Sequence, residues 1–325
     1  MSVLTAAVVG LGRIGLEFDY GSDSPDFVLT HSRAYAMHPG FRLVAGVDRD
    51  AGQRRRFETL YRAPAFESVA AMHAAIQPEV LSVAVATPAL TATFREALEG
   101  RPKAILCEKP FALDAEEASA SLELARHAGC TVMVNYIRRY EPGVRALRAL
   151  LADGTLGTVE KGQAWYAKGL YNNASHTIDL LRLLLGEVDA VEVLKPGRVL
   201  GRDCEPDFLV RIGHAEIWFL AHAYENYSFG SLDLLAGKGR VLYGRGGHEI
   251  DLWKVEPSAV FEGYRVLGAA PERIPTAMSR YQAHVLDGLW ATVTGGARNA
   301  SDGENAVANL RVLDEIGRKR MQHGE

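Results

Sequence analysis

Cysteine is scarce in this chain: three residues among 325, at positions 107, 130 and 204, with no CxxC spacing. Thiols scattered in this way argue against a disulfide framework and fit a reducing cytoplasm. No apolar run approaches the roughly 20 residues that a membrane-spanning helix needs. The first strand-like run begins almost at the first residue, with no basic segment before it and no cleavage site after it, so no signal peptide is read. Charge of one sign is also lacking. The net value of −4 gives no reason to expect nucleic acid or an anionic membrane surface as a partner. There is no internal repeat, no low-complexity tract and no long linker.

What remains is a globular composition, 48% apolar, at a length comfortable for two domains. Strand-like runs at 4–9, 41–47, 80–85, 104–107 and 131–135 alternate with helical patterns at 27–37, 51–61, 68–75, 90–98 and 115–128. That alternation predicts a doubly wound parallel sheet. From about residue 136 the rhythm changes. Helices at 142–152 and 175–185 flank a strand at 159–167. Half-buried strand patterns then follow in series at 191–194, 208–212, 216–221, 231–235 and 240–243. Strands without intervening helices predict an open, largely antiparallel sheet in an α+β domain. A helix pair at about 276–294 and 302–319 closes the chain. The expected division is 1–125 and 126–325, with the last helix able to pack back on the first domain.

Two short motifs carry the chemistry. Gly10-Leu11-Gly12-Arg13-Ile14-Gly15 directly follows the apolar run Ala6–Val9. Glycines at this spacing permit a tight turn, a close approach of backbone to pyrophosphate and close packing of helix on strand. Asp48 closes the second strand, where its carboxylate can accept hydrogen bonds from an adenosine ribose and repel a 2′-phosphate, which favours NAD. Arg49 beside it can instead pair with that phosphate, so NADP stays open. The acid comes later than the usual spacing of about 20 residues, and the turn-rich stretch 16–26 reads as an insertion that accounts for the delay. The second motif, Glu108-Lys109-Pro110, follows Ala104–Cys107 and so sits at another strand end. Ligands of open α/β sheets bind at such ends. Cys107 reads as a small apolar residue ending a buried strand.

With Ala86-Thr87-Pro88, Asn135-Tyr136-Ile137-Arg138-Arg139-Tyr140, His176-Thr177-Ile178-Asp179-Leu180 and Ser301-Asp302-Gly303, these motifs resemble the Gfo/Idh/MocA oxidoreductases in order and over nearly the whole chain. The resemblance implies a Rossmann domain followed by an open-faced α/β domain whose sheet forms a homodimer or homotetramer interface. The nicotinamide would lie between the domains. Gly10, Gly12, Arg13, Ile14, Gly15, Asp48, Arg49, Thr87, Pro88, Glu108 and Lys109 would hold the cofactor. Lys109 would contact the nicotinamide ribose and the substrate hydroxyl, and His176 would be the acid/base residue.

The residues support those two roles on their own terms. A lysine charge stabilises an alkoxide developing on the substrate oxygen. Ser175 is a plausible N-cap, placing His176 in the first turn of its helix, where the dipole disfavours imidazolium and leaves a neutral base. Many family members carry an aspartate four residues before the histidine. Here the position is Asn172, followed by Asn173, and an amide orients a hydroxyl but exchanges no proton near neutral pH. Asp179 shares a helical face with His176, but no third ligand accompanies the pair, so no metal is expected. Asn135, Arg138, Tyr166, Lys168, Asn172, Asn173 and His176 are the candidate substrate contacts. Arg139 is a further cation near them. An anionic or nucleotide-linked sugar would suit Arg138 and Lys168. The expected function is hydride transfer between NAD(P) and a sugar, sugar derivative or cyclitol. Two alternatives are an NAD-retaining redox glycosidase and a non-catalytic cofactor-binding regulator.

Overall fold

The computed structural model describes residues 3–322 except 224, 226 and 228. They form two compact units: the first comprises residues 1–140 and 279–310, the second 141–278 and 311–325. The first therefore takes in the strand at 131–134, the whole penultimate helix and the start of the last one.

In the first unit, short apolar runs make strands buried on both faces, as parallel sheets covered by helices require. The elements in order are β1 (Leu4–Val9), α1 (His31–Met37), β2 (Phe41–Val47), α2 (Ala51–Tyr61), β3 (Ala65–Phe66), α3 (Val69–Ala75), β4 (Val80–Val83), α4 (Thr87–Glu99), β5 (Ala104–Cys107), α5 (Ala115–His127) and β6 (Thr131–Val134). All pairings are parallel, in the order β3-β2-β1-β4-β5-β6. Ala6, Val8, Val80, Leu106 and Met133 build the core beneath Tyr35, Phe41 and Phe57. Thr87 and Pro88 open α4 rather than merely interrupting a strand.

Helix α1 starts at His31, four residues later than the pattern at 27–37 suggests. The Asp19 carboxylate takes the amides of Leu29 (2.6 Å) and Thr30 (3.1 Å), and the Thr30 side chain caps the helix by accepting from Arg33 N–H. The stretch between Gly15 and His31 is thus a loop closed on itself. Arg33 fastens it further by donating to the carbonyls of Ser22 and Ser24.

The second unit contains α6 (Pro142–Ala152), β7 (Val159–Tyr166), α7 (Ser175–Leu185), β8 (Ala190–Leu200), β9 (Asp203–Ile212), β10 (Ala215–Ala221), β11 (Ser231–Ala236), β12 (Gly239–Gly244), β13 (Glu249–Pro257), β14 (Arg265–Leu267) and β15 (Glu272–Ile274). The mixed sheet runs β14-β13-β12-β11-β7-β10-β9-β8, with β15 beside β13. Only the pairing of β7 with β10 is parallel. One face is apolar, carrying Ala164, Tyr166, Phe219, Leu234 and Val241. The other carries cross-strand ion pairs such as Arg240–Asp233 and Arg211–Glu192, with Lys161 over Trp218 and Arg240 over Trp253. The chain closes with α8 (Tyr281–Gly295) and α9 (Gly303–Gln322). No helix among the described residues is long and apolar enough to cross a membrane.

Candidate active site

The glycine loop leaves β1 through Gly10, whose φ is 93° and whose N–H donates to Val47 O. Gly15 packs directly on it: a Cβ there would lie 1.9 Å from the Gly10 carbonyl oxygen. At Gly12, by contrast, a Cβ would meet nothing within 4 Å. One glycine therefore serves packing, while another borders open space. Arg13–Glu17 then make a single wide turn, closed by Glu17 N–H to Gly12 O (3.1 Å) and Phe18 N–H to Arg13 O (3.0 Å). The opening amides of such a turn have no acceptor within it and suit an anion. Asp48 reaches back to this loop, accepting from Leu11 N–H at 2.7 Å with one oxygen and from Asp50 N–H at 2.8 Å with the other. Arg49 is exposed, and neighbouring Arg54 donates to the carbonyls of Asp48 and Arg49. This is a cradle that fits a dinucleotide: backbone for the pyrophosphate and a carboxylate for the ribose.

Two strands away on the same parallel sheet, β5 ends at Cys107 and the chain turns through Glu108, Lys109 and a cis bond to Pro110. The Glu108 carboxylate is gripped by donors. Oε1 takes His31 Nε2 (3.0 Å) and Asn135 Nδ2 (2.6 Å), and Oε2 takes the Lys109 backbone N–H (3.3 Å). Burial alone would raise its pKa, but the hydrogen bonds from His31 and Asn135 and the nearby charge of Lys109 hold it below the ordinary carboxyl value. Glu108 is thus an anchor for the lysine turn as well as a residue at the strand end. Asn135 spends both amide hydrogens inside the protein, on Glu108 and on Gln282 Oε1 (3.1 Å). Its own Oδ1 is buried and has no partner among the described residues, which leaves an acceptor suited to a ligand donor. Burial pushes the Cys107 thiol well up, so it stays protonated and inert. Arg138 is half-buried in a short turn after β6. Arg139 donates to Ala300 O and Asn305 Oδ1, ties that account for it structurally.

In the second unit, the chain leaves β7 through Lys168 (φ 66°) and Gly169 (φ 100°) and enters a wide turn, Leu170–Ala174, that runs straight into α7. Ser175 is consequently not the N-cap: it is buried within a continuous helical path, and its hydroxyl donates to Asn172 O. The cap comes from β9. Asp203 accepts the amides of Tyr171 (3.1 Å) and Asn172 (3.0 Å), and Glu205 accepts Gly169 N–H (3.2 Å). Gly169 is required here, because a Cβ would come within 2.1 Å of the Asp203 carboxylate. His176 thus lies more than a turn past the true helix start, where the dipole contributes little.

Asn172 uses its side-chain amide to hold Lys168 O at 3.0 Å, and Asn173 N–H returns to Gly169 O. Lys168 and His176 are half-buried, Asn172 exposed. Tyr166 is a core residue: its hydroxyl donates to Pro206 O and its ring packs against Phe208 and Phe219, so it is not available to a ligand. The residues that sequence reading missed are His31, Ser82 and Gln282 around Glu108, and Asp203 and Glu205 around Gly169. A histidine straight after a capping threonine was a legible hint for His31. Nothing local marks the others.

Residues 4–136 match the Gfo/Idh/MocA model, described as an oxidoreductase family with an NAD-binding Rossmann fold. Over that Rossmann segment the chain is similar to the family. The chain is 26% identical to inositol 2-dehydrogenase of Rhizobium meliloti over 94% of both chains. It is 30% identical to D-apiose dehydrogenase of Paraburkholderia graminis over 185 residues, spanning 48% of that protein. In fold it resembles the WlbA dehydrogenase of Bordetella pertussis, solved with NADH and UDP-GlcNAcA, at a TM-score of 0.78 and 19% identity over 99% of this chain and 96% of that one. The matched family is described as NAD-binding, and these relatives are named as dehydrogenases of a sugar and a cyclitol.

Proposed function

We propose that this chain is a Gfo/Idh/MocA-type dehydrogenase that moves a hydride between NAD and a hydroxyl-bearing carbon of a sugar, sugar derivative or cyclitol. The observation that carries the reading is the anchoring of Lys109 at the carboxyl edge of the sheet whose β1 end bears the glycine cradle. When bound, the nicotinamide supplies the hydride acceptor or donor. Lys109 then stabilises the negative charge that grows on the substrate oxygen, and His176 takes or returns its proton. Asn172 orients and does not exchange a proton, so proton transfer falls to the other two. Asn135 offers its orphaned Oδ1 to a donor on the ligand.

Asp48 at the ribose end favours NAD over NADP. Arg54 is committed to backbone carbonyls and Arg49 is exposed, so neither cation is prearranged for a 2′-phosphate. Arg138 and Lys168 are the groups that would meet an anionic substrate. The outer face of the second unit's sheet, with Trp165 and Leu235 exposed, is the surface we assign to a second copy of the chain. The buried, free cysteines fit action in the cytoplasm.

The test is unbiased. The protein and its Lys109→Met variant are incubated with NAD in a metabolite extract, and the products are compared by mass spectrometry. A compound that changes by two hydrogens only with the lysine present supports the reading. Glycoside cleavage without net NADH, or tight NAD binding with no changed compound, overturns it in favour of a redox glycosidase or a regulator.

A further inference from the structure

Behind Glu108 lies a buried polar chain contributed by separate elements of the first unit. Gln282, in the first turn of α8, has its amide orientation set by Asn135, whose Nδ2 donates to Gln282 Oε1. Gln282 Nε2 is therefore a donor, and it points at His31 Nδ1 at 3.2 Å. Ser82, on β4, lies 3.0 Å from the same nitrogen and 3.0 Å from the Tyr35 hydroxyl. Ser82 carries one hydrogen, which is free for His31 Nδ1 when the Tyr35 hydroxyl, held protonated by burial, donates to Ser82. With donors converging on Nδ1, the His31 proton is on Nε2, which donates to Glu108 Oε1 at 3.0 Å. His31 itself is fully buried. The loop before it is stitched to α8 by Gln282 N–H to Val28 O and by the Tyr281 hydroxyl to Leu29 O, which brings Gln282 and His31 together.

We propose that His31, with its tautomer set by Gln282 and Ser82, is the positioning residue for Lys109. It holds the Glu108 carboxylate on the backbone of the turn and away from the lysine ammonium. The inference rests on the reading of Lys109 as the cation at the reacting oxygen. Its logic is competitive. A carboxylate adjacent in sequence to a lysine would collapse onto the ammonium and cancel the charge the site needs, unless stronger fixed donors occupy it. Here His31 and Asn135 occupy one oxygen and the Lys109 N–H the other. The titratable groups around this carboxylate are His31, Lys109, Cys107 and Tyr281, and burial raises the last two, which stay neutral.

The experiment reads the lysine directly and needs no substrate. Full-length protein is pulse-labelled with acetic anhydride across a pH series, and the modification of Lys109 is measured by mass spectrometry. The variants are His31→Gln, which keeps an N–H donor, and His31→Leu, which does not; melting curves check their fold. In His31→Leu, Lys109 should be about tenfold less reactive at fixed pH, equivalent to an upward shift of about one pH unit. His31→Gln should lie within about threefold of the parent. Should His31→Leu not fold, Gln282→Leu takes its place, with an expected loss of threefold or more. Unchanged Lys109 reactivity in His31→Leu, or in Gln282→Leu where that replaces it, overturns the proposal, and so does His31→Gln behaving like His31→Leu. A failure of sugar oxidation by the parent protein would sink the functional reading while leaving this outcome legible on its own.

Discussion

In the first unit, the glycine loop and the Glu108–Lys109 turn both leave the carboxyl ends of parallel strands, β1 and β5, with β4 between them. The direction of the strands brings such turns to one edge whatever their distance in sequence. In the second unit, the turn from Lys168 to Ala174 owes its shape to carboxylates of β9, Asp203 and Glu205. No strand direction dictates that meeting. The first arrangement is a consequence of topology. The second depends on individual side chains supplied from a neighbouring part of a mixed sheet. Chemistry placed by topology leaves short local motifs, whereas chemistry placed by a remote carboxylate leaves none.

The sharpest way to break this contrast is to remove the group that the first arrangement presents. Lys109→Met should lower kcat on the identified metabolite by about two orders of magnitude or more, with the NAD Kd from calorimetry within about threefold of the parent. Comparable loss of NAD affinity would show the lysine to be part of the cradle alone. Next, Gly15→Val forces a side chain against the Gly10 carbonyl. It should cost the first unit about 1–3 kcal/mol in urea unfolding and weaken NAD binding. A variant that binds NAD normally would mean that the loop relaxes freely.

Asp203→Ala removes the remote cap. A loss of about 1–2 kcal/mol is expected, with NAD affinity untouched. Asp203→Asn should recover part of it, since one acceptor oxygen remains. A change in NAD affinity would erase the distinction between the units.

The smallest effect is a pH dependence. Glu108 titrates below its ordinary value in the folded protein, so its contribution is present above the unfolded value of about 4.3. It is lost as pH falls through the depressed folded value. The unfolding free energies of the parent and Glu108→Gln should therefore differ at neutral pH and converge in acid. A constant gap from neutral pH to about pH 3 would show that Glu108 is not titrating in the network.

Much of the first unit was legible because its strands are short, apolar and closed by glycine or acid. The runs at 4–9, 41–47 and 104–107 coincide with β1, β2 and β5. The start of α1 was misplaced because Asp19, far back in the loop, takes amides that the helical pattern assigned to the helix. Ser175 was misread for the same reason, its capping role being filled by Asp203 at the start of β9, two strands away from β7. Tyr166 shows a different limit. Alternation along β7 says that Trp165 and Tyr166 face opposite sides but not which side is inside. The buried one is Tyr166, at 2% exposure against 38% for Trp165. Strand β13 places Ile250 and Leu252 on one face and Trp253 on the other, yet it was passed over. The pairing of Glu108 with His31 spans 77 positions, and a single sequence carries no trace of it.

The loop between Gly15 and His31 has one more consequence. Its feet are tied together by Asp19, which takes the Leu29 and Thr30 amides, so its span does not bear on where α1 begins. Lengthening such a closed loop costs little, about 0.6 kcal/mol for each doubling. The exposed stretch at 25–27, beyond the Arg33 ties, is therefore a port: a peptide tag or a small reporter grafted there should ride on the protein without disturbing the lysine that His31 steadies.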